Sequence, residues 1–168
     1  MLIFKRQSNV KVMKFSYKPP RNIRPLFIVH YAPLILIMLI GPATPIFGVW
    51  GIPMPLIPTI LAGAVIFFFG SLFFIKWEIF WEKTYKGQLV TTGYFKYIRH
   101  PHYASLLAIG FGLSLFFYSM LALLISIIAI PIMVCSILDE EKELIAVYGD
   151  EYRNYMKRVP WRLVPGLF

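Results

Sequence analysis

The sequence predicts an all-α integral membrane protein with about four transmembrane helices. Three observations predict it. The 168-residue chain is 58% hydrophobic and only 15% charged, against about 25% charged residues in a soluble domain. No Asp, Glu, Lys or Arg occurs from Pro25 to Ile75, nor from His100 to Leu138. All 17 Lys and Arg fall outside those stretches, within residues 5–24, 76–99 and 142–162. A span needs roughly 20 apolar residues, because 1.5 Å per residue must cover about 30 Å of hydrocarbon. Each silent stretch is therefore expected to hold two spans and one turn. All three basic segments then share a side, and the positive-inside bias makes it the cytoplasmic side, with both termini there.

Residues 1–25 read as a basic cytoplasmic N-terminal segment, too interrupted for a cleaved signal peptide. Its cations suit anionic lipid, at about 1 kcal/mol per basic residue near the surface. The net charge of +9 thus needs no nucleic-acid partner. Residues 26–82 carry the first two spans. Helix one is expected over about Leu26–Leu39, an external turn over Trp50–Pro58, and helix two over about Thr59–Trp81. Trp77 and Trp81 sit at interface depth, and Gly41, Gly63 and Gly70 allow close helix packing. His30 reads as polar packing inside helix one.

Residues 83–168 form the third region. A polar loop, Gly87–Tyr103, leads into helix three, which starts at Pro101 and runs to about Phe116. A tight outer turn over Phe117–Met120 precedes helix four, about Leu121–Leu138, with a kink expected at Pro131. An amphipathic extension follows, with Leu144, Val147 and Tyr148 on one side. Gly149 ends it, and Asp150 is expected to cap a short last helix carrying Tyr152 and Tyr155. Cys135 reads as packing, and no His/Cys cluster has metal-ligand spacing.

The chemistry gathers at two places. Arg99-His100-Pro101-His102-Tyr103 opens helix three, and Asp139-Glu140-Glu141 closes helix four. An antiparallel hairpin of nearly equal arms brings both clusters to one depth. An imidazole, a phenol, carboxylates and an open helix N-terminus at a membrane surface suit a polar, partly cationic ligand meeting a lipidic substrate.

The pattern LVTTGYFKYIRHPHY, from Leu89 to Tyr103, is followed after an apolar stretch by DEEKELIAVYGDEYRNYMKRVP, from Asp139 to Pro160. Together these resemble the isoprenylcysteine carboxyl methyltransferases and the related phospholipid methyltransferases. The resemblance spans roughly Gly87 to Phe168. It implies methyl transfer from S-adenosylmethionine to a lipidic or prenylated acceptor, with a prenylcysteine-like carboxylate first and a phospholipid amine second. It places the cofactor on Gln88, Leu89, Val90, His100, Pro101, His102, Tyr103, Glu140 and Glu141, with His102 through its backbone. Phe95 stands where relatives carry Tyr. Arg99 and Glu140 are the candidates for positioning the reactants. Ser136 stands where carboxylate-methylating members carry an Arg, so Arg99, Arg153 or Arg158 would have to grip a carboxylate. The rivals are an NADPH-dependent membrane sterol or ene reductase, whose RHPxY-like segment usually has Asn before the Tyr, and a non-enzymatic membrane adaptor.

Overall fold

The computed structural model describes residues 23–168, with side chains from His30 onward. Residues 1–22 of the basic segment lie outside it. Six α-helices follow in order: α1 (Ile23–Ile40), α2 (Ala43–Phe47), α3 (Leu56–Thr84), α4 (Pro101–Phe116), α5 (Met120–Tyr148) and α6 (Asp150–Arg158). No strand occurs among the described residues, and a 3-10 turn at Gly93–Lys96 interrupts the loop before α4.

Three segments are long and apolar enough to cross a bilayer: His30–Phe47, Leu56–Thr84 and Met120–Tyr148. The fourth expected span, α4, has 16 residues, about 24 Å at 1.5 Å per residue. It can be short because it faces mostly protein. Gly112, Leu113 and Ser114 are buried in its outer half, while α1, α3 and α5 all pack on it. The hairpin arms are therefore unequal. α5 runs unbroken for 29 residues, through Pro131 and the charged Asp139–Glu143 stretch, so its apolar part spans and its last turns stand beyond. Cys135 is exposed on α5 and faces outward, not into the packing.

α3 and α4 make the closest interface. A Cβ on Gly63 would run into the backbone of Leu115 and Phe116, and one on Gly112 into the backbone of Phe67. In lipid, where apolar burial drives little association, such close approach is the main source of helix–helix attraction. Two polar pairs also join neighbouring helices. Ser114 Oγ lies 2.9 Å from Ser126 Oγ across α4 and α5, and Tyr103 Oη lies 3.0 Å from His30 Nε2 across α4 and α1.

Both turns close at the same end. Gly51 pairs with Ser119, Met120 N donates to Trp50 O at 2.9 Å, and Thr44 Oγ1 donates to Ser119 Oγ at 2.9 Å. Tyr118 adopts a left-handed φ of 52° in the tight turn, and its hydroxyl donates to Met54 O at 2.6 Å. The loop before α4, the last turns of α5 and the C-terminal segment gather at the opposite end. Gly149, at φ 56°, separates α5 from α6. Asp150 makes no side-chain cap there; it is fully outward and faces Arg153 at 3.7 Å, one turn on.

Candidate active site

The RHPxY segment is held by one carboxylate. Arg99 Nε and Nη2 each lie 2.8 Å from Glu141 Oε1, and Arg162 donates Nε and Nη2 to Glu141 Oε2, both at 3.1 Å. Arg99 Nη1 donates to Val159 O at 2.6 Å, and the backbone amides of Arg99 and His100 donate to Trp161 O and Arg162 O at 2.9 Å. Glu141 therefore ties the α4 entrance, α5 and the C-terminal segment into one unit. The Arg99 and Glu141 side chains are only 3% and 5% exposed, so neither reaches solvent. A buried ion pair of this kind holds geometry more than it adds stability.

Glu140 is one residue away and differs in exposure and in the side it faces. Its side chain is 44% exposed, into a cavity of about 560 Å³. Successive rows of one α5 face, Ser136, Glu140, Leu144 and Tyr148, line that cavity, because residues four apart stack on a helix. Glu141 points the other way and does not line it. His100 bridges the two, with Nδ1 at 3.6 Å from Glu140 Oε2 and Nε2 at 3.2 Å from Glu141 Oε1. Burial alone would lower the His100 pKa, but hydrogen bonds and charge from both glutamates outweigh it, so the imidazole titrates above its usual range.

The opposite wall is aromatic. Trp77 and Trp81 on α3 and Tyr85 just past its end form a ladder, with ring centroids 6.0 Å and 4.5 Å apart and planes within 18° and 12°. Gln88, Leu89, Val90 and Phe95 continue the lining from the loop, and Tyr152 and Tyr155 close it from α6. Burial pushes both α6 phenols above their ordinary pKa, so they remain neutral. The Tyr155 hydroxyl donates to Phe95 O at 2.8 Å, which fixes that loop. His30 from α1 and Pro101, His102 and Tyr103 from the start of α4 complete the lining.

Of the residues singled out in the sequence, Gln88, Leu89, Val90, Phe95, Arg99, His100, Pro101, His102, Tyr103 and Glu140 all line this cavity. Asp139, read from the sequence as part of the helix-four cluster, lines it too, while sequence reasoning missed the α3 ladder, His30 and Glu143, which also line it. The ladder had a readable signal: aromatic residues at i, i+4 and i+8 running past the apolar part of a span. His30 had none, since its partner Tyr103 lies 73 positions away. Of the three Arg considered for gripping a carboxylate, Arg99 is consumed by Glu141 and Arg153 faces Asp150 on an exposed turn. Neither Arg153 nor Arg158 lines the cavity.

The chain matches the family model described as phospholipid methyltransferase over residues 46–151. No curated protein and no solved structure matches it.

Proposed function

We propose that this chain, which belongs to the phospholipid methyltransferase family and so is a membrane methyltransferase acting on lipids, uses S-adenosylmethionine to methylate an amine-headed lipid at the cytoplasmic leaflet. The observation that carries this reading is the cavity's composition. It is of nucleoside-binding size, walled by an aromatic ladder on one side and by Asp139, Glu140 and Glu143 on the other. Its one lining Arg or Lys among the described residues, Arg99, is already paired. Flat rings suit a purine, carboxylates suit ribose hydroxyls and a sulfonium charge, and an acid-rich lining disfavours a carboxylate acceptor.

The residues fit the cofactor. Glu140 presents a partly exposed carboxylate, Trp81, Tyr85 and Phe95 contribute rings, and Gln88, Leu89, Val90 and His102 add to the lining. S-adenosylmethionine supplies an electrophilic methyl group. His100 holds Glu140 in place, and the Glu141 clamp holds His100, so the chain contributes orientation more than proton transfer. A shielded site helps as well, since charge is dispersed as the methyl moves. The prenylcysteine carboxylate is the second reading, and it needs a cation that the described lining does not offer. The cytoplasmic placement rests on the basic residues 76–99 and 142–162, which share the cavity end of the bundle.

The test is ligand-dependent melting of the detergent-purified protein, followed by transfer of tritiated methyl into membrane lipids. S-adenosylhomocysteine is expected to raise the melting temperature and NADPH is not, with Glu140→Gln abolishing the shift. Stabilisation by NADPH alone would establish the reductase instead. Indifference to both ligands would leave the adaptor.

A further inference from the structure

A second hollow lies between α3 and α4, with a volume of about 840 Å³, and it shares no lining residue with the cavity. Val65, Phe69, Leu72, Phe73 and Lys76 line it at helical spacing along α3, while Trp77 and Trp81 turn to the cavity. From α4 it receives only the short side chains Ala104, Ser105 and Ala108, which leave the space unfilled. The Ser105 hydroxyl donates to His102 O at 2.6 Å, so it is satisfied within its own helix. Val65 and Phe69 are exposed on a helix long and apolar enough to cross a bilayer. What they meet there is hydrocarbon, not water.

One charge interrupts this apolar lining. Lys76 is the first charged residue after the silent run from Pro25 to Ile75, and it is the only charged residue that lines the hollow. It forms no ion pair among the described residues, and its neighbours one turn away are Leu72, Phe73, Ile79 and Phe80. A lysine at the end of an apolar span extends its ammonium to headgroup depth. Tyr94 lies at the same level, its ring 5.1 Å from Phe73 and 5.4 Å from Phe80, and Tyr97 lines the hollow as well. Tyrosines of this kind mark the membrane–water interface.

We propose that the α3–α4 hollow binds an anionic phospholipid, its phosphate paired with the Lys76 ammonium and one acyl chain lying along α3 toward Val65. Residues 65 to 76 of α3 cover about 16 Å of helix axis, so the chain runs from the headgroup level into the hydrocarbon. Charge selects this occupant. A phosphate stands at that depth in the leaflet, whereas a second copy packed through the same face would set Lys76 against a lining without acids. The proposal stands on the membrane reading alone and does not depend on methyl transfer. Tyr94, Ile98 and Ala104 line the hollow, while their chain neighbours Phe95, Arg99 and Tyr103 line the cavity. A lipid here thus braces a wall of the cavity from behind, and its binding registers as stability.

The test titrates full-length protein in neutral detergent with phosphatidylglycerol, with diacylglycerol or with inorganic phosphate. Phosphatidylglycerol is expected to raise the melting temperature saturably, diacylglycerol to raise it less, and inorganic phosphate to leave it unchanged. Lys76→Gln should weaken phosphatidylglycerol binding roughly fivefold, the equivalent of about 1 kcal/mol. Lys83→Gln, whose lysine lies outside the hollow, should keep that affinity within about twofold. Phosphatidylglycerol carrying a photoreactive chain should label the peptides with Val65–Lys76 and Ala104–Ala108 ahead of the exposed Ile127 and Ile128 of α5. A response to inorganic phosphate or diacylglycerol equal to that of phosphatidylglycerol would overturn the proposal. So would an unchanged titration for Lys76→Gln, or labelling spread evenly over the exposed helices. Cross-links between two copies through the hollow, with the lipid excluded, would assign the face to self-association instead.

Discussion

The two ends of the helix bundle are built from different materials. At the turn end, neutral groups satisfy one another: Thr44 donates to Ser119, the Ser119 hydroxyl accepts from Ala122 N at 3.2 Å, and Tyr118 donates to Met54 O. At the cavity end, Glu141 takes donors from Arg99 and Arg162 while Glu140 beside it faces the cavity with His100 Nδ1 at 3.6 Å, and His102 Nδ1 and Trp77 Nε1 are buried without partners. A fold with no further task pairs its buried polar groups, because each orphan costs about 1–3 kcal/mol. The turn end meets that standard. The surplus at the other end lies on residues that line the cavity.

The contrast breaks first at Glu141. Removing one partner of a buried, fully bonded ion pair costs about 3–5 kcal/mol, so Glu141→Ala or Arg99→Ala should lower the unfolding free energy in detergent by that amount, while Glu140→Gln should leave it within about 1 kcal/mol. Denaturant titration of the three variants would settle the difference. Equal losses for Glu140→Gln and Glu141→Ala would mean that the two carboxylates do not divide the labour as their exposure indicates.

A smaller effect belongs to the turn end. Thr44→Val removes one neutral hydrogen bond and should cost about 1 kcal/mol with no change in S-adenosylhomocysteine binding. Loss of binding in that variant would tie the two ends together and dissolve the comparison.

The smallest effect is a pH slope. The His100 pKa is raised in the folded protein above its ordinary 6.5, so the folded state binds a proton more tightly than the unfolded chain does. Its stabilisation is complete below the unfolded value and is lost as pH rises through the raised folded value. Melting temperature should therefore drift downward as pH climbs from about 6 toward alkaline values, and His100→Gln should flatten that drift. A wild-type curve that rises over the same interval would contradict the pairing of His100 with both glutamates.

Much of this architecture was legible along the chain. The helix ends near Pro101, Phe116, Met120 and Gly149 follow from Pro at a first turn, a tight turn and a glycine stop, which are local properties. The gathering of RHPHY and DEE was legible as well, since a hairpin has little choice about which ends meet. The division of labour inside each cluster was not. Glu140 and Glu141 are chemically identical neighbours, and only the azimuth of α5 against Arg99 and Arg162 turns one inward and leaves the other to the cavity. The same holds for Asp150, read as a cap but facing Arg153, and for Cys135, read as packing but facing outward.

Charge silence, span length and the side on which every cation lies were properties of the amino-acid order alone, because the cost of placing charge in hydrocarbon acts residue by residue. The three-dimensional packing decided which aromatic rings line the cavity, which glutamate is clamped, and which nitrogen of His102 is sealed. Those outcomes depend on the rotation of one helix against another and on partners 41 to 73 positions apart, and no local rule carries that information.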